Sequence, residues 1–139
     1  MEDRARDAWS RLDRIRGIGP KIASFFLRDL AIKYNVQVSK DRHLLQPVDV
    51  WIRRLVWLLN DRKMEDEQVA RWIAGKCPEP ELANQGFWYF GAQIAGSDWR
   101  LQRCLADLAY ARSLCEQHVA TLSATATAWN RPGAPRVDS

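Results

Sequence analysis

Lys21 and Asp49 are the two side chains of this 139-residue sequence whose type and position could support chemistry. Lys21 follows the Gly-Ile-Gly-Pro turn of residues 17–20, where the glycines permit a sharp bend and proline suits the first turn of a helix. Free N–H groups at such a helix start favour an anion such as phosphate. Asp49 precedes the apolar segment 50–60, and the helix dipole favours an ionised aspartate at that N-cap position. The sequence therefore predicts a phosphate-binding turn and, later in the chain, a fixed negative charge.

The elements that must position these two groups are predicted to be helices. Residues 50–60 are apolar on nearly every side except at Arg53 and Arg54, a pattern typical of a central buried helix. The hydrophobic periodicity predicts an all-α fold of about six helices without a sheet. Residues 1–122 form the expected domain, and residues 123–139 form an expected extended tail. The remaining predicted helices span residues 2–14, 21–34, 64–75, 81–96 and 98–122.

Within the predicted helix 21–34, the large apolar side chains are expected to face the core at helical spacing. They are Ile22, Phe25, Phe26, Leu30 and Ile32.

The composition indicates a small protein with more apolar surface than its core needs. Apolar residues make up 47% of the chain and seven residues are Trp, so we expect an interface with a second copy or another protein. Cys77, Cys104 and Cys115 show no C-x-x-C spacing and are predicted to be reduced thiols of an intracellular protein. The absence of a signal peptide or a membrane-length apolar run predicts a soluble, cytoplasmic protein without a membrane partner.

The positive charge is concentrated in the half that contains the turn. Residues 1–63 hold 14 Lys and Arg against 8 Asp and Glu, whereas residues 64–139 hold 7 against 9. An ordinary solvated helix surface would give the same totals, so composition alone does not distinguish it from a surface that binds phosphate. A phosphate-binding turn within the basic half favours nucleic acid as the partner.

Three segments occur in an order that narrows this interpretation. Residues 15–23 read IRGIGPKIA, residues 46–54 read QPVDVWIRR and residues 86–91 read GFWYFG. Many polymerases, nucleases and ligases contain a hairpin like that of residues 15–23. The three segments in this order are typical of far fewer proteins. Residues 12–96 resemble the helix-hairpin-helix (HhH-GPD) DNA glycosylase superfamily, in particular the endonuclease-III-like and 8-oxoguanine DNA glycosylase/AP lyases. Trp51 stands where those proteins often have His, and nothing in the sequence matches their N-terminal half.

The resemblance implies a catalytic pair. The lysine at the position of Lys21 attacks the sugar C1′ of a damaged nucleotide that has been flipped out of the duplex. Loss of the base leaves a Schiff base, and β-elimination then cuts the strand. Attack requires a neutral amine, which the positive helix N-terminus and nearby arginines are expected to favour. The aspartate at the position of Asp49 stabilises positive charge on the sugar, so Lys21 and Asp49 should line one cleft.

The resemblance also implies a DNA-binding hairpin. Its backbone amides hold phosphates, and a monovalent cation (K⁺ or Na⁺) sits under the turn on main-chain carbonyls. The three scattered cysteines argue against the iron–sulfur cluster found in many relatives. Gly19 is expected to adopt a backbone conformation that larger residues cannot. The predicted DNA-binding residues are Arg16, Gly17, Gly19, Lys21 and Ile22, and the predicted cation ligands are the carbonyls of Asp13, Ile15 and Ile18.

Two functions from different classes remain open at this stage. In the first, the chain is a minimal DNA repair enzyme of base excision whose pocket is completed by a homodimer or a separate protein that supplies the N-terminal helices. In the second, it is a non-catalytic, sequence-nonspecific DNA-binding subunit of a larger assembly. Lys21 is then a phosphate contact or a solvated side chain, and Asp49 is only an N-cap.

Overall fold

The computed structural model describes residues 4–130 and confirms an all-α fold, with no strand anywhere in that range. Within this described range there are seven α-helices, a 3₁₀ helix and a π-helix. No helix within residues 4–130 is both long and apolar enough to span a membrane. The α-helices are α1 (Arg4–Asp13), α2 (Pro20–Tyr34), α3 (Val50–Asn60), α4 (Asp66–Lys76), α5 (Pro80–Tyr89), α6 (Asp98–Ala106) and α7 (Leu108–Trp129). The 3₁₀ helix is Arg42–Leu45, and the π-helix is Phe90–Ala95.

The chain divides into two compact units, one ending at Gln93 and the other beginning at Ile94. The core of the first unit is built around α3, whose predicted limits and buried position are confirmed. Ile52, Leu55 and Val56 are its buried residues, and Trp57, Trp72, Phe87 and Trp88 are partly buried around the same core. Most of the Trp residues in this unit therefore stabilise the core. The buried core residues are Val48, Ile52, Val56, Met64, Val69, Ala70 and Ile73.

The inward face of α2 differs from the prediction. Ile22 and Phe26 are each 52% exposed, so the expectation that they face the core was wrong. The inward positions belong instead to small or polar residues, including Ser24 and Arg28. Both polar side chains have partners inside the protein: Ser24 Oγ accepts a hydrogen bond from Trp9 Nε1 at 3.0 Å, and Arg28 is paired as described next. Because these partners satisfy their hydrogen bonds, polar side chains can occupy a buried stripe.

Arg28 belongs to a buried chain of hydrogen bonds that connects three parts of the first unit. Its Nη1 donates to Asn84 Oδ1 on α5 at 3.0 Å, and Asn84 Nδ2 donates to the Pro47 carbonyl at 3.0 Å. Asn84 is fully buried and Arg28 is 5% exposed. The helix that contains Lys21 is thus joined, through one amide, to the segment that leads into Asp49.

The aromatic segment is only partly the single α-helix that residues 81–96 predict. It is α-helical as α5 and then continues as the π-helix. Gly91, in the π-helix, lies so close to α3 that a Cβ atom added to it would be 2.8 Å from Trp51 Cβ. A glycine is therefore required here for close packing.

We expect Gly91→Ala to lower the free energy of unfolding by about 1–3 kcal/mol, because the added methyl group collides with the body of Trp51 rather than with a flexible side-chain end. Urea unfolding measures this change. Gly86→Ala is the matched control, since nothing lies within 4 Å of its Cβ position in α5. Alanine has the higher helix propensity, so Gly86→Ala should be neutral or stabilising by up to about 1 kcal/mol. Equal losses in both variants would contradict the packing argument.

The second unit corrects two further predictions. The predicted helix 98–122 is broken at Asp107, whose side chain caps α7 by accepting hydrogen bonds from the N–H groups of Ala109 and Tyr110. The segment from Ser123 to Trp129 is helical rather than extended, and residues 131–139 lie outside the described range. No residue of α7 is buried. Its large exposed apolar side chains are Leu108, Val119, Leu122 and Trp129.

Candidate functional site

The predicted hairpin is present between α1 and α2. The Ile15 N–H donates to the Leu12 carbonyl at 3.0 Å, and the Ile18 N–H donates to the Ile15 carbonyl at 2.9 Å, which tightens the turn. Lys21 is the second residue of α2 and is exposed, with its Nζ 5.9 Å from the centroid of the Phe25 ring. The turn therefore presents its side chains and a helix N-terminus to solvent. Of the predicted DNA-binding residues, Arg16, Gly17, Lys21 and Ile22 are exposed and Gly19 is half-buried.

The conformational requirement for glycine lies at Gly17 rather than at Gly19. Gly17 has a φ of +89°, which L side chains rarely adopt. Gly19 has φ −90° and ψ 175°, ordinary extended backbone, and no atom lies within 4 Å of a Cβ at that position. The expectation that Gly19 excludes larger residues was therefore wrong. The sequence shows two glycines in one turn but not which of them takes the left-handed conformation.

The predicted cation site depends on three carbonyls of the hairpin. That of Ile15 already accepts the Ile18 N–H, and a carbonyl oxygen has a second lone pair for a cation. Cation binding at Asp13, Ile15 and Ile18 stays a prediction. Among residues 4–130 there is no group of three or more His, Cys, Asp or Glu side chains that could hold a metal ion. All three cysteines are free, and burial raises the pKa of Cys77 and Cys104.

A cleft of about 480 Å³ opens beside the start of α2. Its walls come from α1 and α2, from the 3₁₀ helix and the segment that joins it to α3, and from the first two turns of α4. Residues of both charge signs and several apolar side chains line it. They are Arg6, Trp9, Pro20, Lys21, Ser24, His43, Leu44, Gln46, Pro47, Val48, Asp66, Glu67, Ala70 and Arg71.

Both acidic groups of the cleft are paired with arginine. Glu67 accepts hydrogen bonds from Arg71, which lower the pKa of the carboxyl, and Asp66 pairs with Arg53 at 2.6 Å. Burial lowers the pKa of His43, and the charge of Arg71 adds to that effect. His43 is therefore held toward its neutral form. Because Arg6 pairs with Asp41 and Arg71 pairs with Glu67, Lys21 and His43 are the ionisable side chains of the cleft that are not in these ion pairs.

The structure brings Lys21 and residues 47–48 to the same cleft but does not place Asp49 among the lining residues. Asp49 is buried, and its Oδ1 accepts a hydrogen bond from the Ile52 N–H at 2.9 Å. The predicted N-cap is thus confirmed. Lys21 therefore lines the cleft, whereas Asp49 directly follows the segment that forms one of its walls.

Gln46 is a cleft residue whose importance the sequence does not show. It is 2% exposed, and its Nε2 donates to Glu81 Oε1 at 3.1 Å and to the Arg42 carbonyl at 3.4 Å. Glu81 also accepts hydrogen bonds from Arg42 at 2.6 to 3.2 Å. These partners are 35 and 39 residues from Glu81 in the chain, so only the fold reveals the cluster.

No protein-family model matches the chain, and no solved structure matches it. An uncharacterized protein of Methanocaldococcus jannaschii is 44% identical over 52 residues, which is 36% of this chain and 12% of the relative. The chain thus matches only a small part of that relative's length, and the relative's description states no activity.

Proposed function

We propose that this protein is a DNA glycosylase/AP lyase of the helix-hairpin-helix type, acting on a flipped damaged base or an abasic site. The observation that supports the proposal is the location of Lys21. It follows the hairpin turn, in the first turn of α2, and lines one cleft with Pro47 and Val48, the residues directly before Asp49. Lys21 and the hairpin turn thus lie beside the segment that leads to Asp49, whose carboxylate is buried and does not line the cleft.

The proposed reaction uses Lys21 as the nucleophile. Its neutral amine attacks the sugar C1′, the glycosidic bond breaks, and the base leaves with the bonding electron pair. Loss of the amine proton and opening of the sugar ring give a Schiff base. Removal of a C2′ proton then expels the 3′ phosphate by β-elimination. Asp49 supplies negative charge close to the sugar, where positive charge develops in the transition state.

Trapping with borohydride on abasic-site DNA tests this proposal, because reduction converts the Schiff base into a stable protein–DNA adduct. We expect an adduct with the wild-type protein and none with Lys21→Ala. Lys33→Ala is the matched control, since Lys33 lies on the same helix in its last turn, and it should trap as the wild type does. Absence of a wild-type adduct, or equal trapping by Lys21→Ala, would remove the enzymatic proposal.

The alternative function is a DNA-binding subunit of a larger assembly that performs no chemistry. The burial of Asp49 favours it, because the Oδ1 of this carboxylate caps α3 and the residue is not among those that line the cleft. A separate protein or a second copy would then cover the exposed apolar residues. Retained binding to duplex DNA without base release from a panel of lesions would support this alternative.

Both functions require the hairpin to bind the DNA backbone, and the two glycines provide a matched test. We expect Gly17→Ala to weaken duplex affinity about tenfold, because a left-handed conformation costs an L residue about 1–2 kcal/mol and the turn must change shape. Gly19→Ala should bind as the wild type does, since its backbone is extended and its Cβ position is open.

A salt titration of duplex affinity measures the same interface. Lys21→Gln removes at most one phosphate contact, so the slope of log affinity against log salt should fall by about 0.9. Unchanged affinity in a folded Gly17→Ala variant would mean that the hairpin is only a structural turn, and DNA binding through it would then be rejected.

A further inference from the structure

The orientation of the Gln46 amide is determined by its surroundings. Its Nε2 faces two acceptors, the Glu81 carboxylate and the Arg42 carbonyl. Turning the amide over would bring Oε1 against both acceptors and replace two hydrogen bonds with two repulsions. The backbone is also held, because the Gln46 N–H donates to the His43 carbonyl at 3.1 Å. The carbonyl end of the amide therefore points away from Glu81.

This orientation leaves Gln46 Oε1 buried without a donor from any residue between 4 and 130. A buried acceptor without a partner costs about 1–3 kcal/mol, so such groups call for an explanation in a folded protein. Gln46 lines the same cleft as Lys21, so a ligand bound in the cleft lies beside this residue. A group that binds in the cleft and donates a hydrogen bond would remove that cost.

The chemistry of the acceptor limits the ligand. A DNA phosphodiester has only acceptor oxygens and cannot satisfy Oε1, whereas the exposed Lys21 amine at the same cleft is a donor that such a phosphate would suit. The Oε1 atom needs an N–H or O–H donor. Flat heteroaromatic rings with an amino group provide one, and Trp9, Pro47 and Leu44 supply apolar lining for the ring faces. The cleft volume of about 480 Å³ falls in the range of small-molecule pockets.

We propose that Gln46 is a specificity-determining residue whose Oε1 accepts a hydrogen bond from an amino or ring N–H group of a nucleobase bound in the cleft. The proposal deepens the glycosylase function above and rests on it for the identity of the ligand as a DNA base. This hydrogen bond selects bases that carry an N–H group at the edge that enters the cleft. Glu81 and Arg42 act through Gln46 by holding its amide in the accepting orientation.

A matched pair of free bases tests the proposal on the full-length protein. 9-Methyladenine and 9-methylpurine differ only in the amino group, so their ring faces and acceptor nitrogens are the same. We expect the wild-type protein to bind 9-methyladenine about tenfold more tightly in a titration followed by NMR of side-chain amides, with the Gln46 amide among the shifted resonances. Gln46→Met should lose this preference, and Gln37→Met, at an exposed glutamine outside the cleft, should keep it.

Each outcome bears on the proposal. Equal binding of the two bases by the wild type, no binding of either, or a preference retained in Gln46→Met would overturn it. If Gln46→Met does not fold, the wild-type comparison of the two bases still decides. Borohydride trapping on abasic DNA involves no base, so failure of the glycosylase function would be seen there independently of the result with the free bases.

Discussion

The Asn84→Leu variant is expected to lose about 3 kcal/mol of folding free energy, although the two side chains have similar volumes. The substitution leaves a buried Arg28 N–H group and the Pro47 carbonyl without their partner, and each unsatisfied group costs about 1–3 kcal/mol. Urea unfolding measures the loss. Gln85→Leu is the control, because the neighbouring residue is exposed on the same helix and its substitution should change stability by less than about 0.5 kcal/mol.

A double variant separates the hydrogen bonds from simple packing. Arg28→Met combined with Asn84→Leu removes the buried guanidinium together with the amide oxygen to which it donates, and of the partners of Arg28 leaves only the exposed Asp29 carboxylate without its arginine. The combined loss should therefore be smaller than the sum of the two single losses. Additive losses would show that the hydrogen bond between Arg28 and Asn84 contributes little. The result also concerns the site, because this hydrogen-bond chain joins α2 to the segment that leads into Asp49.

Asp49→Asn is expected to reduce borohydride trapping about 100-fold while the protein remains folded, if the proposed glycosylase chemistry is correct. Asparagine is as good an N-cap as aspartate, so the hydrogen bond to the Ile52 N–H is retained and stability should fall by less than about 1 kcal/mol. The substitution removes the negative charge and keeps the shape. Trapping kinetics and thermal unfolding of the same preparation measure both effects.

Asp107→Asn is the matched control for that experiment. Asp107 is also an N-cap aspartate, accepting hydrogen bonds at the start of α7, but it does not line the cleft. It should trap as the wild type does. If Asp49→Asn also traps normally, Asp49 serves only as a helix cap, and Schiff-base formation by Lys21 does not depend on the Asp49 charge.

The features that the sequence predicted well depend on neighbours in the chain. The limits of α3 and the capping role of Asp49 follow from an aspartate directly before an apolar helix, and both are confirmed. The hairpin likewise follows from glycine and proline within a few residues. Local preferences of this kind are visible in a sequence because the interacting groups lie within one or two turns.

The predictions that failed depended on distant partners or on the choice between similar residues. Ile22 and Phe26 were assigned to the core because they are apolar, but the inward positions of α2 go to Ser24 and Arg28, whose partners Trp9 and Asn84 lie 15 and 56 residues away. Gln46 was missed for the same reason. The sequence also does not show which of the two hairpin glycines, Gly17 or Gly19, takes the left-handed conformation.

The exposed end of α7 has a consequence for how the molecule unfolds. From Gln117 to Trp129 the helix has no Lys, Arg, Asp or Glu and no buried residue, and its threonine hydroxyls donate to its own carbonyls four residues back. Local opening of these turns exposes almost no new surface, so its free energy lies near the bottom of the range within one protein. An isolated helix of this length is marginal in water. Heating therefore frays this helix gradually, at temperatures where the first unit remains folded. The loss of helical signal from the whole chain is then not a single two-state transition.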